Sequence, residues 1–199
     1  DEFGIYKGTF WSNDGQKLAF YRMDQSMVAD YPLVDIDTRI ATETPVRYPM
    51  AGENTHKVTV GIYDLNTEKT VFLNTGDPTD RYFTNIAWAP DGKLIYLIEL
   101  NRAQNHYSLD AYDATTGNKT ATLYTEKSDK YVHPTHHITF VPWDKSRFIL
   151  QSERDGYNHL YLFDTTGKQI KQLTTGKWIV LDLLGFNAKT KEAIILSTE

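Results

Sequence analysis

The histidines come nearest to a chemically competent arrangement in this chain. His133, His136 and His137 lie within five residues, and imidazoles three and four positions apart suit zinc when they lie on a helix. Pro134 falls inside this cluster and a strand pattern follows, so a solvated loop is the favoured interpretation. The Asp35–Asp37 stretch lacks the glycine and the terminal glutamate of a calcium loop. We therefore predict no metal ion and no other cofactor.

The sequence has no recognisable site for a catalytic nucleophile either. The chain has no cysteine, which excludes thiol nucleophiles, disulfides and Cys-based metal sites. No Gly-x-Ser-x-Gly segment occurs, so the strained turn that presents a hydrolase serine is missing. We predict that these residues do not catalyse acyl transfer by themselves.

Charge and hydropathy narrow the possible partners. The net charge is −5 with both signs interspersed, and the absence of a basic stripe disfavours nucleic acid. No apolar run approaches the roughly 18 residues of a membrane span. The 13 tyrosines and 4 tryptophans suit a protein rich in β-strands, where flat rings pack on pleated surfaces.

An irregular internal repeat organises the chain. Its first half contains a strand, an Asp-Gly turn and a returning strand, clearly at Phe10–Phe20 and Ala87–Leu97, more weakly at Phe140–Leu150 and Gly185–Leu196. Its second half is a further hairpin, at Ile62–Thr67, Ala111–Gly117 and Leu162–Gly167. These second halves recur about every 50 residues, which is typical of the blades of a β-propeller.

The repeat predicts an all-β fold: about three and a half four-stranded blades of a larger propeller. Residues 1–199 then form a partial propeller domain, with blades at about 8–77, 85–125, 136–175 and an incomplete one at 181–199. A blade cannot bury both faces alone, so we expect the fragment to be stable only within its parent chain or by packing against another copy of itself.

The first blade contains an insertion at about 24–56, between its two hairpins. Tyr31, Leu33, Val34 and Ile36 give it an alternating apolar pattern interrupted by prolines. Long insertions in repeat proteins usually lie on one rim and often serve binding. We interpret the insertion as an extended arm that contacts a partner; a flexible surface loop is the alternative.

Several segments resemble the propeller of the dipeptidyl peptidase IV family of prolyl oligopeptidase-type serine peptidases, above all its bacterial members and the prolyl tripeptidyl aminopeptidases. The resemblance covers essentially the whole chain, and two segments, Tyr48–Gly52 and Asn101–Asn105, are not generic propeller sequence. The segments that carry it are Glu2–Ile5, Gly8–Ser12, Leu18–Asp24, Tyr48–Gly52, Val58–Gly61, Leu100–Asn105 and Arg154–Tyr161.

The resemblance implies a two-domain serine exopeptidase that releases dipeptides or tripeptides after proline. Its N-terminal eight-bladed propeller caps a C-terminal α/β-hydrolase domain, which lies outside these residues and holds the catalytic groups. Peptides with a free N-terminus and a proline would be the substrates. A periplasmic, secreted or cell-surface location is implied as well.

Glu2 occupies the place at which this family carries an acidic anchor for the substrate's α-amine. A desolvated carboxylate makes a short charge-assisted hydrogen bond to an ammonium group and so measures chain length from the N-terminus. Some relatives have two adjacent glutamates there, whereas here Asp1 precedes Glu2. The resemblance therefore leaves two alternatives for the number of anchoring carboxylates, one or two, and two for the peptide released, a dipeptide or a tripeptide. An exposed terminal acid is the alternative for Glu2.

The insertion matches the position at which the family extends an arm to a second subunit. The resemblance therefore implies a homodimer through an arm whose contact residues are Tyr31, Leu33, Val34, Ile36, Tyr48 and Pro49. We expect Arg102, Arg154 and Asp155, in the segments that carry the resemblance, to be salt-bridged strand ends; a functional role is the alternative.

Two other classes of protein would share the repeat. A non-enzymatic propeller that binds protein or peptide on its rim has the same features. A carbohydrate-active or sensor propeller does not explain Asn101–Asn105.

Overall fold

A computed structural model describes residues 5–199, and the regular structure in this part is entirely β. No helix among these residues is long and apolar enough to cross a membrane. The strands are β1 (Thr9–Trp11), β2 (Lys17–Asp24), β3 (Asp30–Asp35), β4 (Thr42–Arg47), β5 (Lys57–Asp64), β6 (Lys69–Phe72), β7 (Arg81–Trp88), β8 (Leu94–Asn101), β9 (His106–Asp113), β10 (Lys119–Lys127), β11 (Thr139–Val141), β12 (Asp144–Ser152), β13 (His159–Asp164), β14 (Gln169–Gln172), β15 (Val180–Asn187) and β16 (Glu192–Ser197).

The strands form three four-stranded antiparallel sheets and a two-stranded one, which are successive blades. Their orders are β1-β2-β5-β6, β7-β8-β9-β10, β11-β12-β13-β14 and β15-β16. Blade two begins at Arg81 and extends to Lys127, slightly beyond the bounds drawn from the repeat. A separate hairpin, β3-β4, lies between β2 and β5. The prediction of a partial β-propeller is confirmed.

Glycine makes the first hairpin of blades one and two possible. Gly15 and Gly92 have φ of 68° and 67°, in the left-handed region where a side chain is costly. Their amides donate to the carbonyls of Ser12 and Ala89 at 2.9 and 3.0 Å. The turn chemistry read from the repeat therefore reverses the chain tightly enough for both strands to pair.

The hydrophobic core lies between blades rather than within one. One cluster joins blades one and two and includes Val60, Ile62, Leu97 and Tyr112. Another joins blades two and three and includes Ile98, Leu109, Phe148 and Phe163. Each such side chain stabilises the fold by about 1.5–3 kcal/mol when fully buried, so the stability of each blade depends on its neighbour.

Two glycines let consecutive blades approach closely. A Cβ on Gly117 would lie 2.3 Å from the Phe72 carbonyl oxygen, and one on Gly167 would lie 2.4 Å from that of Leu123. The Asn74 amide also donates to the Gly117 carbonyl at 2.8 Å. The second turn of a blade thus packs directly on the outer strand of the preceding blade.

Candidate functional site

The strand order divides the loops between two faces of the propeller. One, the turn face, carries the hairpin turns at 12–16, 65–68, 89–93, 114–118, 142–143, 165–168 and 188–191. The other, the connector face, carries the β2–β5 insertion, the β8–β9 and β12–β13 turns and the links between blades, at 25–56, 73–80, 102–105, 128–138, 153–158 and 173–179. Contacts across blades agree with this division, since Lys17 Nζ donates to the Gly92 carbonyl within the turn face.

The turn face repeats one local chemistry. Asp64, Asp113 and Asp164 each accept backbone amides two or more residues further along the chain, at 2.7 to 3.1 Å. Such Asx turns fix a reversal without help from other elements. Hydrogen bonds from Thr116 hold the pKa of Asp113 below its usual value. Because the same device recurs in each blade, the turn face is explained by folding alone.

The connector face carries the segments that do not repeat. Arg102, in the β8–β9 turn, donates from Nη1 to Asp80 Oδ1 at 2.6 Å and from Nη2 to the Glu53 carbonyl. Its backbone amide also donates to the Asp80 carbonyl at 3.0 Å. One side chain therefore links the end of the insertion, the blade-one connector and blade two.

Asn101 determines the shape of the same turn. Its Oδ1 accepts the amides of Asn105 and His106 at 3.0 and 3.1 Å, and its Nδ2 donates to Asn105 Oδ1 at 2.8 Å. Gln104 has a φ of 54°, and its carbonyl accepts the amide of Val132 at 2.8 Å. The Asn101–Asn105 segment, which is not generic propeller sequence, is thus a loop held by its own hydrogen bonds and by contact with the link between blades two and three.

A charged cluster lies where the connector face crosses from blade two to blade three. Glu126 Oε2 accepts hydroxyl groups from Tyr107 at 2.9 Å, from Tyr124 at 3.0 Å and from Ser152. Arg154 lies beside it, with its guanidinium 4.4 Å from the Tyr124 ring centroid. Burial raises the pKa of Tyr107 well above its usual value, and the Glu126 charge acts in the same direction. This cluster borders a cavity of about 300 Å³.

Arg154 and Asp155 make contacts within blade three. Arg154 lies 3.9 Å from the Tyr161 ring centroid and donates to Gln169 Oε1 at 2.8 Å. Asp155 accepts a hydrogen bond from Gln172 Nε2 at 2.6 Å. Of the three residues predicted to be salt-bridged strand ends, Arg102 forms an ion pair, with Asp80. Arg154 and Asp155 make the contacts above instead of the expected salt bridges.

The first strands of the blades form a second concave surface. Residues of β1, β7 and the start of β11 converge on a groove of about 340 Å³ that Lys7, Trp11 and His137 help to line. Trp88 Nε1 donates across it to the Phe10 carbonyl at 3.0 Å. These strands are the edges of their sheets, so their convergence marks the inner wall of the propeller.

The histidine loop is held by a residue that the sequence did not single out. Asn85 is buried at a bulge in β7, with a φ of 56°, and its Nδ2 donates to the Pro134 carbonyl at 2.7 Å. His133 and Glu153 approach to 3.9 Å, and partial burial lowers the pKa of His136. Over residues 5–199 no group of three or more potential ligands could hold a metal ion.

The comparisons with known proteins agree with this architecture. Residues 1–199 match the model of the dipeptidyl peptidase IV (DPP IV) N-terminal region. This chain belongs to that family. The resemblance inferred from its segments is therefore confirmed.

Solved structures and curated relatives agree with the family. A crystal structure of a candidate dipeptidyl aminopeptidase IV from Bacteroides ovatus is 54% identical, with a TM-score of 0.95 over 100% of this chain and 31% of its own. Porphyromonas gingivalis dipeptidyl peptidase 4 is 27% identical, with a TM-score of 0.82 over 94% of this chain and 27% of its own. A candidate dipeptidyl-aminopeptidase B of Talaromyces marneffei is 27% identical over 90% of this chain and 23% of its own length. The DPP IV propeller segment therefore spans less than a third of these proteins.

The arm residues of this DPP IV propeller segment lie together on the β3-β4 hairpin and its flanks. Tyr31, Leu33, Val34, Ile36 and Tyr48 are all exposed, from 44% for Tyr31 to 80% for Ile36. Pro49 is half-buried at the base of the hairpin. Glu2, the predicted amine anchor, lies outside the described residues.

Sequence reasoning missed Asn85 and the Glu126 cluster. Neither lies in a recognisable sequence motif. Asn85 is a polar residue in a mostly buried strand, and Glu126 is flanked by the polar residues Thr125 and Lys127 at the end of β10. The buried pair of polar residues Thr84 and Asn85, between Phe83 and Ile86 in β7, was the available signal for Asn85.

Proposed function

We propose that this chain is the substrate-gating and N-terminus-recognising propeller portion of a serine exopeptidase that releases dipeptides or tripeptides after proline. The observation that carries the proposal is the family match over the whole chain, together with the position of the non-repeating segments. Those segments concentrate on the connector face and do not belong to the blade repeat.

In the full-length protein, a serine on a C-terminal α/β-hydrolase domain attacks the carbonyl after proline, with a histidine as base and an aspartate orienting it. The chain described here contributes no catalytic group. Its connector face encloses the cavity, and Glu2 binds the substrate's α-ammonium. Glu2 precedes β1 in the sequence, and the segments that precede β7, β11 and β15, at 73–80, 128–138 and 173–179, lie on the connector face.

The exposed arm supports the proposal of a homodimer. It extends from the same face, and Arg102 holds its base through the Glu53 carbonyl. We propose a periplasmic, secreted or cell-surface location, in keeping with an exopeptidase that acts on external peptides.

The test is a substrate comparison on the full-length protein. Gly-Pro and Ala-Ala-Pro chromogenic substrates are assayed with free and with acetylated N-termini. Cleavage that requires the free amine supports the exopeptidase, and the preferred substrate distinguishes dipeptide from tripeptide release. A full-length protein that cleaves none of the four substrates would favour the alternative, a non-enzymatic propeller that binds protein or peptide on its rim.

A further inference from the structure

The link between blades two and three, residues 128–138, is held by blade two along its length. The amides of Ser128 and Val132 donate to carbonyls of the β8–β9 turn at 2.9 and 2.8 Å. The Pro134 carbonyl accepts a hydrogen bond from Asn85 Nδ2 at 2.7 Å. The first half of the link is therefore attached to a neighbouring loop, and Asn85 attaches its second half to the innermost strand of the blade.

Asn85 lies at a β-bulge. Thr84 pairs with Ile98. Ala87, three residues further along β7, pairs with Tyr96, only two residues away on β8, so β7 contains one extra residue. Asn85 has a φ of 56°, in the left-handed region that asparagine adopts more readily than most residues. Bulges re-aim a side chain and are over-represented next to active sites. This bulge directs the Asn85 amide to the link.

The contact requires a hydrogen-bond donor at position 85. A carbonyl oxygen only accepts hydrogen bonds, and Asn85 is 7% exposed, so little water can take the place of its amide. The same Nδ2 also donates to Thr84 Oγ1 at 2.7 Å, and both bonds place the nitrogen toward its acceptors. An ionised aspartate has the shape of asparagine but no hydrogen to donate. Asparagine is therefore suited to this position and aspartate is not.

The link presents side chains on the connector face at the point where Asn85 holds it. Val132 and Pro134 are buried, whereas Tyr131 and His133, which precede them, are exposed. Tyr131 and Val132 also line the cavity of about 300 Å³ beside the Glu126 cluster. Because buried and exposed residues alternate, a shift of the Pro134 backbone would move the exposed side chains and the wall of this cavity with it.

We propose that Asn85 is a positioning residue, which fixes the 128–138 link on the connector face and through that link increases the affinity for the peptide substrate. The inference rests on the proposed function, in which the connector face encloses the substrate. Asn85 is buried behind the link and acts through it. A residue that aids binding of the substrate and of the transition state alike lowers KM and leaves kcat unchanged. Loss of the Asn85 amide should therefore raise KM.

Two variants of the full-length protein remove the contact in different ways. Asn85→Asp keeps the shape of the side chain and places a carboxylate oxygen against the Pro134 carbonyl. Asn85→Gly removes the amide and keeps the left-handed backbone without a steric penalty. Ile95→Val is the matched control. Ile95 is fully buried in the same blade, in the cluster shared with blade one, so loss of one methyl group lowers stability at a distance from the link.

Hydrogen exchange and steady-state kinetics measure the two parts of the inference. We expect peptides from 128–138 to exchange about tenfold faster in both Asn85 variants, the order of one lost hydrogen bond, and at the wild-type rate in Ile95→Val. For the preferred free-amine substrate, KM should rise about tenfold in the Asn85 variants with kcat within about twofold of wild type. Circular dichroism melting verifies folding, and Asn85→Gly decides the comparison if Asn85→Asp does not fold.

The possible results separate positioning from stability and from the proposed function. Exchange of 128–138 at the wild-type rate in both Asn85 variants would overturn the positioning role. Faster exchange with an unchanged KM would overturn the effect on substrate affinity, as would an equal rise of KM in Ile95→Val, and in both cases the exopeptidase would stand. A wild-type protein that cleaves none of the substrates would refute the proposed function and the effect on affinity together, while the exchange rates would still decide whether Asn85 positions the link.

Discussion

A single methyl group at Gly117 should separate blades one and two. Gly117 has a φ of 74°, and an added Cβ would lie 2.3 Å from the Phe72 carbonyl oxygen and 3.0 Å from Val71 Cγ1. Gly15 has nearly the same φ, 68°, with nothing within 4 Å of an added Cβ. The two alanine variants therefore share a backbone penalty and differ in the contact between blades.

The expected magnitudes follow from these two effects. A left-handed backbone costs a side-chain-bearing residue about 1–2 kcal/mol, and this applies to Gly15→Ala and Gly117→Ala alike. Gly117→Ala must also displace the backbone of β6, which overpacking data place at about 1–3 kcal/mol. The displacement also strains the Asn74 to Gly117 hydrogen bond, at present 2.8 Å. We expect Gly117→Ala to lose about 2–5 kcal/mol in total.

Urea denaturation of the full-length protein measures the difference. Tryptophan fluorescence, to which Trp88 in the cluster between blades one and two contributes beside the other tryptophans, and circular dichroism of the strands both follow the unfolding. Gly167→Ala, whose Cβ would meet the Leu123 carbonyl oxygen at 2.4 Å, should behave as Gly117→Ala does. Equal losses for Gly15→Ala and Gly117→Ala, within about 0.5 kcal/mol, would refute the close interblade contact.

Three further predictions concern side chains. Arg102→Ala should speed hydrogen exchange across residues 25–56 while changing global stability by no more than about 1 kcal/mol, since its ion pair is exposed; exchange unchanged from wild type would show that Arg102 does not brace the arm. Arg154→Lys should lose about 0.5–2 kcal/mol in urea denaturation, because an ammonium cannot stack on Tyr161 as a guanidinium does, and full stability in this variant would contradict that contact. Hydrogen bonds keep the pKa values of Asp113 and Asp164 below 3.8. Their contribution to the free energy of unfolding is therefore complete above that pH and is lost as the pH falls through the folded-state pKa values. Asp113→Ala should make the free energy of unfolding fall less steeply with pH in this acid range. An unchanged pH dependence would show that Asp113 does not contribute to it.

The fold could be predicted from the sequence because its determinants are local and repeated. Asp-Gly turns at Gly15 and Gly92, and the aspartates at Asp64 and Asp113, fix hairpins through contacts within a few residues. The alternation of the strands then leaves apolar residues to pack between blades. The insertion of an extended arm could be predicted as well, because prolines and an alternating run of apolar residues interrupt the blade repeat.

The connector-face contacts could not be predicted because they join residues far apart in the chain. Glu126 in blade two accepts a hydrogen bond from the Ser152 hydroxyl in blade three, and Asn85 Nδ2 donates to the Pro134 carbonyl, 49 residues further along the chain. A salt bridge was expected for Arg154, but Tyr124 and Tyr161 stack on its guanidinium instead. Stacking of this kind depends on how two blades dock, which no local pattern encodes.

The most direct test of the proposed recognition of the substrate's amine is the Glu2→Gln variant of the full-length protein. The values of kcat/KM on the preferred free-amine substrate are compared with wild type and with Glu68→Gln, an acid on the turn face. We predict a loss of about 10²-fold or more for Glu2→Gln, the effect of removing one charge-assisted hydrogen bond from the transition state, and no change for Glu68→Gln. A Glu2→Gln enzyme as active as wild type would contradict the amine anchor.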